Sequence, residues 1–320
     1  HRLFDLMKRL REDGVSIVYI SHKLDEVMEI ADEITVLRDG KNAGRMKASE
    51  ATRDRIVSMM VGRELSAMFP KGAGKKGDVV LEVESLSSGG ALRDVSFSAR
   101  RGEILGIAGL LGAGQMTLAR VLFGIERIDG GTVRVHGKRA RLGSPGRAIQ
   151  AGLGFMPDDR KEEGLVLGLS VSKNLTLAVT KRLTRFGFLS GRLERSVASK
   201  LCRDLSIKAK GPDQPVKFLS GGNQQKVVLG KWLALGPDIL ILCEPTRGID
   251  VGAKVEMYNL MNRLAAGGKC IVLISSELPE LISLSDRIIV MFEGRVAGEV
   301  SREAATQTAI MNYAVGGRAG

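Results

Sequence analysis

Leu219-Ser220-Gly221-Gly222-Asn223-Gln224-Gln225-Lys226 opens a helical stretch through Leu235, and Asp238-Ile239-Leu240-Ile241-Leu242-Cys243-Glu244-Pro245-Thr246-Arg247-Gly248-Ile249-Asp250 follows it. Ser220 ahead of two glycines reads as a helix N-cap, and Ile239 to Cys243 is a strand-sized apolar run. Working upstream, Glu103-Ile104-Leu105-Gly106-Ile107-Ala108 is another apolar run. It ends in Gly109-Leu110-Leu111-Gly112-Ala113-Gly114-Gln115-Met116-Thr117, after which Leu118 to Leu122 has helical character. Strand, Gly-rich turn and helix start form the context of a phosphate-binding loop. Glycines let backbone N–H groups converge on phosphate oxygens, and the helix N-terminus adds its positive end. Taken by itself, such a turn reads equally well as a structural one.

The chemistry of that loop departs from the pattern G-x-x-x-x-G-K-[ST], in which Lys grips the outer phosphates and a hydroxyl meets Mg²⁺. Gln115 and Met116 stand in those places. An amide has dipoles but no charge, and a thioether suits a hard cation poorly.

An internal repeat organises the rest. Ile17-Val18-Tyr19-Ile20-Ser21-His22-Lys23-Leu24-Asp25-Glu26 matches Ile271-Val272-Leu273-Ile274-Ser275-Ser276-Glu277-Leu278-Pro279-Glu280 at an offset of 254 residues (271 minus 17). The register holds without a gap: Asp32 pairs with Asp286, Gly40 with Gly294, Gly44 with Gly298 and Gly62 with Gly316. Residues 1–65 are therefore expected to be the tail of a first copy, 66–77 a Gly/Lys/Pro linker, and 78–320 a second copy. The chain begins with His1 rather than Met, and the rest of the first copy is expected upstream of it.

Composition narrows the class. With 44% hydrophobic, 26% charged and 4% aromatic residues and 40 glycines, the chain reads as α/β with many tight loops. Cys202, Cys243 and Cys270 are far apart and read as reduced thiols, not as a disulfide framework or zinc site; no metal site is expected from them. No run is long enough to cross a bilayer. The formal charge of +12 comes from scattered Lys and Arg without interleaved aromatics, so no nucleic acid is expected as a partner. His136, in a strand-like hairpin, reads as a surface residue, and Trp232 as packing.

The order and spacing of these motifs resembles the ATP-binding cassette family. Pro157-Asp158-Asp159-Arg160-Lys161-Glu162-Glu163-Gly164-Leu165, the GGNQQK run from Gly221 and the EPTRGIDVGAK run from Glu244 are similar to the second cassette of monosaccharide importer ATPases of the ribose and galactose group. The resemblance implies an α/β P-loop-type cassette: a mostly parallel sheet, a β-rich lobe near 79–140 and a helical lobe near 170–215. It implies that Gly109, Gly112, Gly114, Gln115, Met116 and Thr117 form a degenerate Walker A loop. Ser220, Gly221, Gly222 and Gln224 would form the signature, and Asp250 would belong to the D-loop. Glu244 takes the catalytic carboxylate position, and His22 is the switch histidine of the first copy. Asp158 stands at the Q-loop glutamine position, Cys243 at the Mg²⁺-binding aspartate and Ser276 at the second copy's switch histidine.

The same resemblance implies ATP as the nucleotide, with Mg²⁺ at the first-copy site outside this chain. It implies membrane permease subunits and, indirectly, a periplasmic-type sugar-binding protein as partners, at the cytoplasmic face of the membrane. The first cassette of the same polypeptide, or a second copy, would complete the nucleotide site. No aromatic residue lies between Pro70 and Ser96, where the family places an adenine-stacking ring. With its phosphate lysine, Mg²⁺ hydroxyl, Q-loop glutamine, Mg²⁺ aspartate and switch histidine replaced, this cassette is expected not to hydrolyse ATP with its own Walker motifs. Nucleoside import, a permease-free twin-cassette ATPase and an inert fragment stay open as alternatives; the short linker and these replacements argue against the second.

Overall fold

The computed structural model describes residues 2–21, 24–38, 41–52, 55–56, 59, 76–185 and 187–317. Two compact units divide the chain: His1–Pro70 with Asp250–Glu256, and Lys71–Ile249 with Met257–Gly320. In the first unit, helices α1 (Arg2–Glu12) and α2 (Leu24–Ile30) precede a hairpin of β1 (Glu33–Arg38) and β2 (Lys41–Lys47). Leu24, Ile34, Val36, Met46 and Ile56 are buried there.

The second unit holds two sheets. An antiparallel sheet runs in the order β4-β3-β6-β7, with β3 at Val79–Ser88, β4 at Leu92–Arg100, β6 at Gly130–Val135 and β7 at Lys138–Arg139. This is the β-rich lobe expected near 79–140. The six-stranded sheet runs in the order β14-β13-β5-β12-β11-β8. It comprises β5 (Ile104–Gly109), β8 (Leu153–Met156), β11 (Ile239–Cys243), β12 (Cys270–Ile274), β13 (Arg287–Phe292) and β14 (Arg295–Ser301). All neighbours are parallel except β13 and β14. Every residue of β8, β11 and β12 is buried, because a parallel strand covered on both faces reads as continuous apolar sequence.

Helix α3 (Gln115–Leu122) follows β5, and a short helix at Pro145–Gln150 precedes β8. The helical segment contains α4 (Val171–Thr176) and α5 (Gly191–Asp204), with an unanticipated small hairpin, β9 (Thr184–Arg185) and β10 (Phe188–Leu189), between them. Then come α6 (Gly221–Leu233), α7 (Val251–Ala266), α8 (Leu278–Leu284) and α9 (Gln307–Ala314). Trp232 does pack, as its sequence context suggests: Phe123 stacks on Phe155 at 5.0 Å and meets Trp232 edge-on at 5.1 Å, tying the end of α3, β8 and α6 together. Among the described residues, no helix is long and apolar enough to cross a membrane.

The 254-residue offset carries over element by element. It maps α2 onto α8, β1 onto β13 and β2 onto β14 with the same bounds. Even the bulge recurs, between Val36 and Leu37 in one hairpin and between Val290 and Met291 in the other. One segment differs. Val18 and Ile20 are 89% and 92% exposed, whereas their twins Val272 and Ile274 are 0% and 2% exposed within β12. β12 lies between β11 and β5; residues 15–21 pair with no strand among the described residues.

Candidate nucleotide site

The buried strand β5 delivers the chain into the Gly-rich loop, and α3 carries it away. Gly112 and Gly114 have φ of +85° and +107°, a region L side chains rarely enter. Ala113 N–H donates to the Leu110 carbonyl at 3.0 Å and Leu118 N–H to the Gly114 carbonyl at 2.9 Å. The N–H groups of Leu111, Gly112, Gly114, Gln115, Met116 and Thr117 have no backbone partner among the described residues. These are donors of the kind a phosphate accepts from. The Gln115 side chain folds back over them: its Nε2 donates to the Leu110 carbonyl at 3.2 Å and sits 2.8 Å from where a Cβ on Gly109 would stand.

The acidic end of the site is built on β11 and the turn after β12. Cys243 is buried, and burial pushes its thiol well above the usual range; it behaves as the inert core cysteine its strand-end position suggests. Glu244 adopts φ +46° and is held there by its N–H donating to the Ile274 carbonyl at 2.8 Å. Its carboxylate accepts from Ser276 N–H at 2.7 Å and from Ser276 Oγ at 3.2 Å. Burial raises the Glu244 pKa, and these two hydrogen bonds oppose the rise. So Ser276 engages the Glu244 carboxylate through both its backbone and its side chain. Neither Met116 nor Cys243 offers oxygen to Mg²⁺, and among the described residues no three His, Cys, Asp or Glu side chains gather where a metal ion could sit. The loop fits phosphate oxygens through its backbone; it does not fit a magnesium ion.

Ser220 stands at the N-cap position of α6 and is exposed, its Oγ accepting from Asn223 Nδ2 at 2.9 Å rather than from a helix N–H. Gly221 has no room for a side chain: a Cβ would stand 3.0 Å from the Gly248 carbonyl and 3.0 Å from the Arg160 guanidinium. Gln224 is buried. Its Oε1 accepts from Arg160 Nε at 3.2 Å, and its Nε2 donates to the Val216 carbonyl at 3.3 Å.

Arg160 is the residue that motif reading missed as a site component. Besides Gln224 it reaches the Arg247 carbonyl at 2.7 Å and the Gly248 carbonyl at 3.3 Å. One guanidinium thus ties α6 to the turn after β11. It is aimed from a π-helical turn, Arg160–Gly164, whose N-cap Asp159 accepts from Lys161 N–H at 2.8 Å and Glu162 N–H at 3.1 Å. Asp158 pairs with Arg247 at 3.7 Å. Arg120 of α3 pairs with Glu163 of the same turn at 3.1 Å, joining the loop helix to it.

The remaining sequence candidates are placed locally. Asp250 is exposed and opens α7, its Oδ1 accepting from Ala253 N–H at 2.9 Å. His136 is exposed, as expected, and faces Asp238 at 3.3 Å. Thr117 lies in the first turn of α3, half-buried. His22 lies outside the described residues.

Comparison with known proteins agrees with this arrangement. The ABC transporter family profile matches residues 92–247. The chain is 46% identical over 317 residues to the ribose import ATP-binding protein RbsA of Bacillus subtilis, covering 99% of this chain and 64% of that protein. It is 51% identical over 317 residues to the ribose import ATP-binding protein RbsA 2 of Rubrobacter xylanophilus, covering 99% and 61%. The chain thus spans a little under two thirds of the length of these curated relatives. A solved nucleotide-free ATP-binding cassette from an ABC transporter shares the fold, with a TM-score of 0.65 at 21% identity over 74% of this chain and 98% of that one. The chain thus carries an ABC transporter ATPase domain, and 99% of its length is similar to curated import ATP-binding proteins.

Proposed function

We propose that this chain is part of the ATP-binding subunit of a ribose-type monosaccharide importer, and that its second cassette completes a nucleotide site whose Walker motifs belong to a first. In this reading residues 78–320 are the second cassette, 1–65 the tail of the first and 66–77 the link between them. Relatives named for ribose import, similar over nearly the whole chain, support the transport assignment. ATP would supply the energy and permease subunits would receive it, with the ATPase at the cytoplasmic face. A periplasmic-type sugar-binding protein would deliver solute without touching this chain.

A contrast between two helix starts carries the proposal. At α3 the Gln115 amide closes onto Leu110, beside a thioether and near a buried thiol. That end lacks a cation for the outer phosphates and an oxygen for Mg²⁺. At α6 an exposed Ser220 stands ahead of two residues without side chains, the second of them buried, and the N–H end of this 13-residue helix would face an anion held by another cassette. Phosphoryl transfer depends on positioning and on charge neutralisation. The groups kept here cap a γ-phosphate; the groups replaced would have held one. His22 and Mg²⁺ belong, in this reading, to the first-copy site.

The test uses the longer protein assembled with its permease and reads steady-state ATPase. Ser220→Arg is expected to abolish hydrolysis, because a guanidinium stem there holds the two cassettes apart. His22→Ala is expected to be severe. Glu244→Gln is expected to leave hydrolysis largely intact. If Glu244→Gln proves as damaging as Ser220→Arg, the second cassette is catalytic and the proposal fails.

A further inference from the structure

Away from the Gly-rich loop, a cleft of about 450 Å³ opens between the turn after α3 and the β6–β7 hairpin with the segment that follows it. Four arginines line it: Arg127, Arg139, Arg141 and Arg147. None of the four has a carboxylate partner within 4 Å among the described residues. The one acid in the lining, Glu126, is already paired with Arg120 at 3.1 Å. Other arginines of this unit do meet an acid, Arg134 with Glu84, Arg247 with Asp158, Arg287 with Glu103 and Arg302 with Asp286, while Arg192 and Arg195 on α5 stand apart from one among the described residues. Four guanidiniums without acid partners around one cleft make its mouth locally positive, a field that draws anions to it.

The walls that carry these side chains are held firmly. Gly124, at φ +73°, lies so close to the Ser144 backbone that a Cβ would stand 2.7–2.8 Å from it. Gly131, at φ +89°, presses on the Ser85 carbonyl in the same way. Ala140 N–H donates to the Val133 carbonyl at 2.8 Å, and Leu142 between Arg141 and Gly143 is buried. The Arg147 guanidinium rests 3.5 Å from where a Cβ on Gly143 would be. The cationic heads are exposed, but the backbone aiming them is part of the core packing.

We propose that this cleft binds a phosphate-bearing ligand. Guanidinium forks match phosphate oxygens two at a time, and their charge survives at any physiological pH. The volume is that of a small-molecule site. No aromatic residue lines it, so it lacks the stacking platforms that single-stranded nucleic acid uses. A free phosphorylated metabolite and an anionic lipid headgroup present the same chemistry here.

Titration calorimetry of the full chain with pyrophosphate, run beside sedimentation with phosphatidylglycerol and phosphatidylcholine vesicles, tests the proposal. Pyrophosphate is expected to bind, and Arg139→Glu/Arg141→Glu to weaken that binding by at least about tenfold, the loss of roughly one charge-assisted bond. Arg192→Glu/Arg195→Glu, an equal charge change on the exposed face of α5, is expected to leave it unchanged. If the Arg139→Glu/Arg141→Glu variant also releases the chain from phosphatidylglycerol vesicles, the ligand is a headgroup; if only pyrophosphate binding changes, it is a soluble phosphate. No pyrophosphate binding, binding kept in the Arg139→Glu/Arg141→Glu variant, or an equal loss in the α5 variant overturns the proposal. Circular dichroism of each variant confirms its fold, and because the readout is binding alone, it is independent of any ATPase result.

Discussion

Removing the Arg160 guanidinium would leave Gln224 Oε1 and the Arg247 and Gly248 carbonyls without the donor they share. Arg160→Ala is therefore expected to lower stability by about 1–3 kcal/mol in urea denaturation. Arg160→Lys should recover only part of it, since a single ammonium cannot span three acceptors in a fixed plane. An alanine variant as stable as the parent would contradict the role. Lys231 offers a second test. It is buried, its Nζ donates to the Gly164 carbonyl at 2.7 Å, and burial lowers its pKa from 10.5 to about 8. Below pH 8 both folded and unfolded chains hold this proton, and the burial penalty is felt in full. Between about 8 and 10.5 the unfolded chain holds more of it, so stability rises with pH. Relative to Lys231→Met, the parent is expected to gain up to about 3 kcal/mol between pH 7.5 and 10.5; a constant difference in denaturation midpoints would refute this. Neither role was legible in the sequence. The partners of Arg160 lie 64, 87 and 88 residues away, and no local pattern marks a lysine on the inner face of a helix.

Among the elements, the repeated hairpins invite a paired experiment. Gly44 and Gly298 occupy equivalent positions, and each faces the residue equivalent to the other's neighbour, Met59 and Tyr313. A Cβ on Gly298 would run into the Tyr313 ring, whereas a Cβ on Gly44 would meet the Met59 sulfur at 2.7 Å. A thioether end can swing aside; a packed ring cannot without moving its helix. Gly298→Ala is expected to cost about 1–3 kcal/mol in thermal or chemical unfolding, and Tyr313→Ala to relieve most of that in a double-mutant cycle. Gly44→Ala should cost clearly less. Equal costs at both positions would sink the argument. The two hairpins themselves were legible as a repeat, because the spacing of Asp32, Gly40 and Gly44 recurs at Asp286, Gly294 and Gly298. The β9–β10 hairpin was not: two-residue strands carry no periodicity to read.

For the molecule as a whole, catalysis is the property most exposed to test. The purified chain is expected to show no magnesium-dependent ATPase above background, and turnover on the order of 1 s⁻¹ that falls in Glu244→Gln would sink that expectation. Nucleotide should bind the Gly-rich loop weakly through its backbone N–H groups, with the same affinity in Mg²⁺ and in EDTA; calorimetry showing tight, magnesium-requiring binding would contradict it. The amino-acid sequence by itself determined the resemblance, the α/β architecture, the internal repeat and the presence of Gln115 and Met116 at the end of the Gly-rich loop. Each of these is written in residue type and spacing, and strand, turn and helix start are local consequences of such patterns. Only the tertiary structure decided that Gln115 closes back on Leu110, that Ser276 holds the Glu244 carboxylate, that Arg160 joins α6 to the turn after β11, and that four arginines share one cleft. These contacts join residues that chain distance does not relate. Their geometry is set by how the sheets and helices pack.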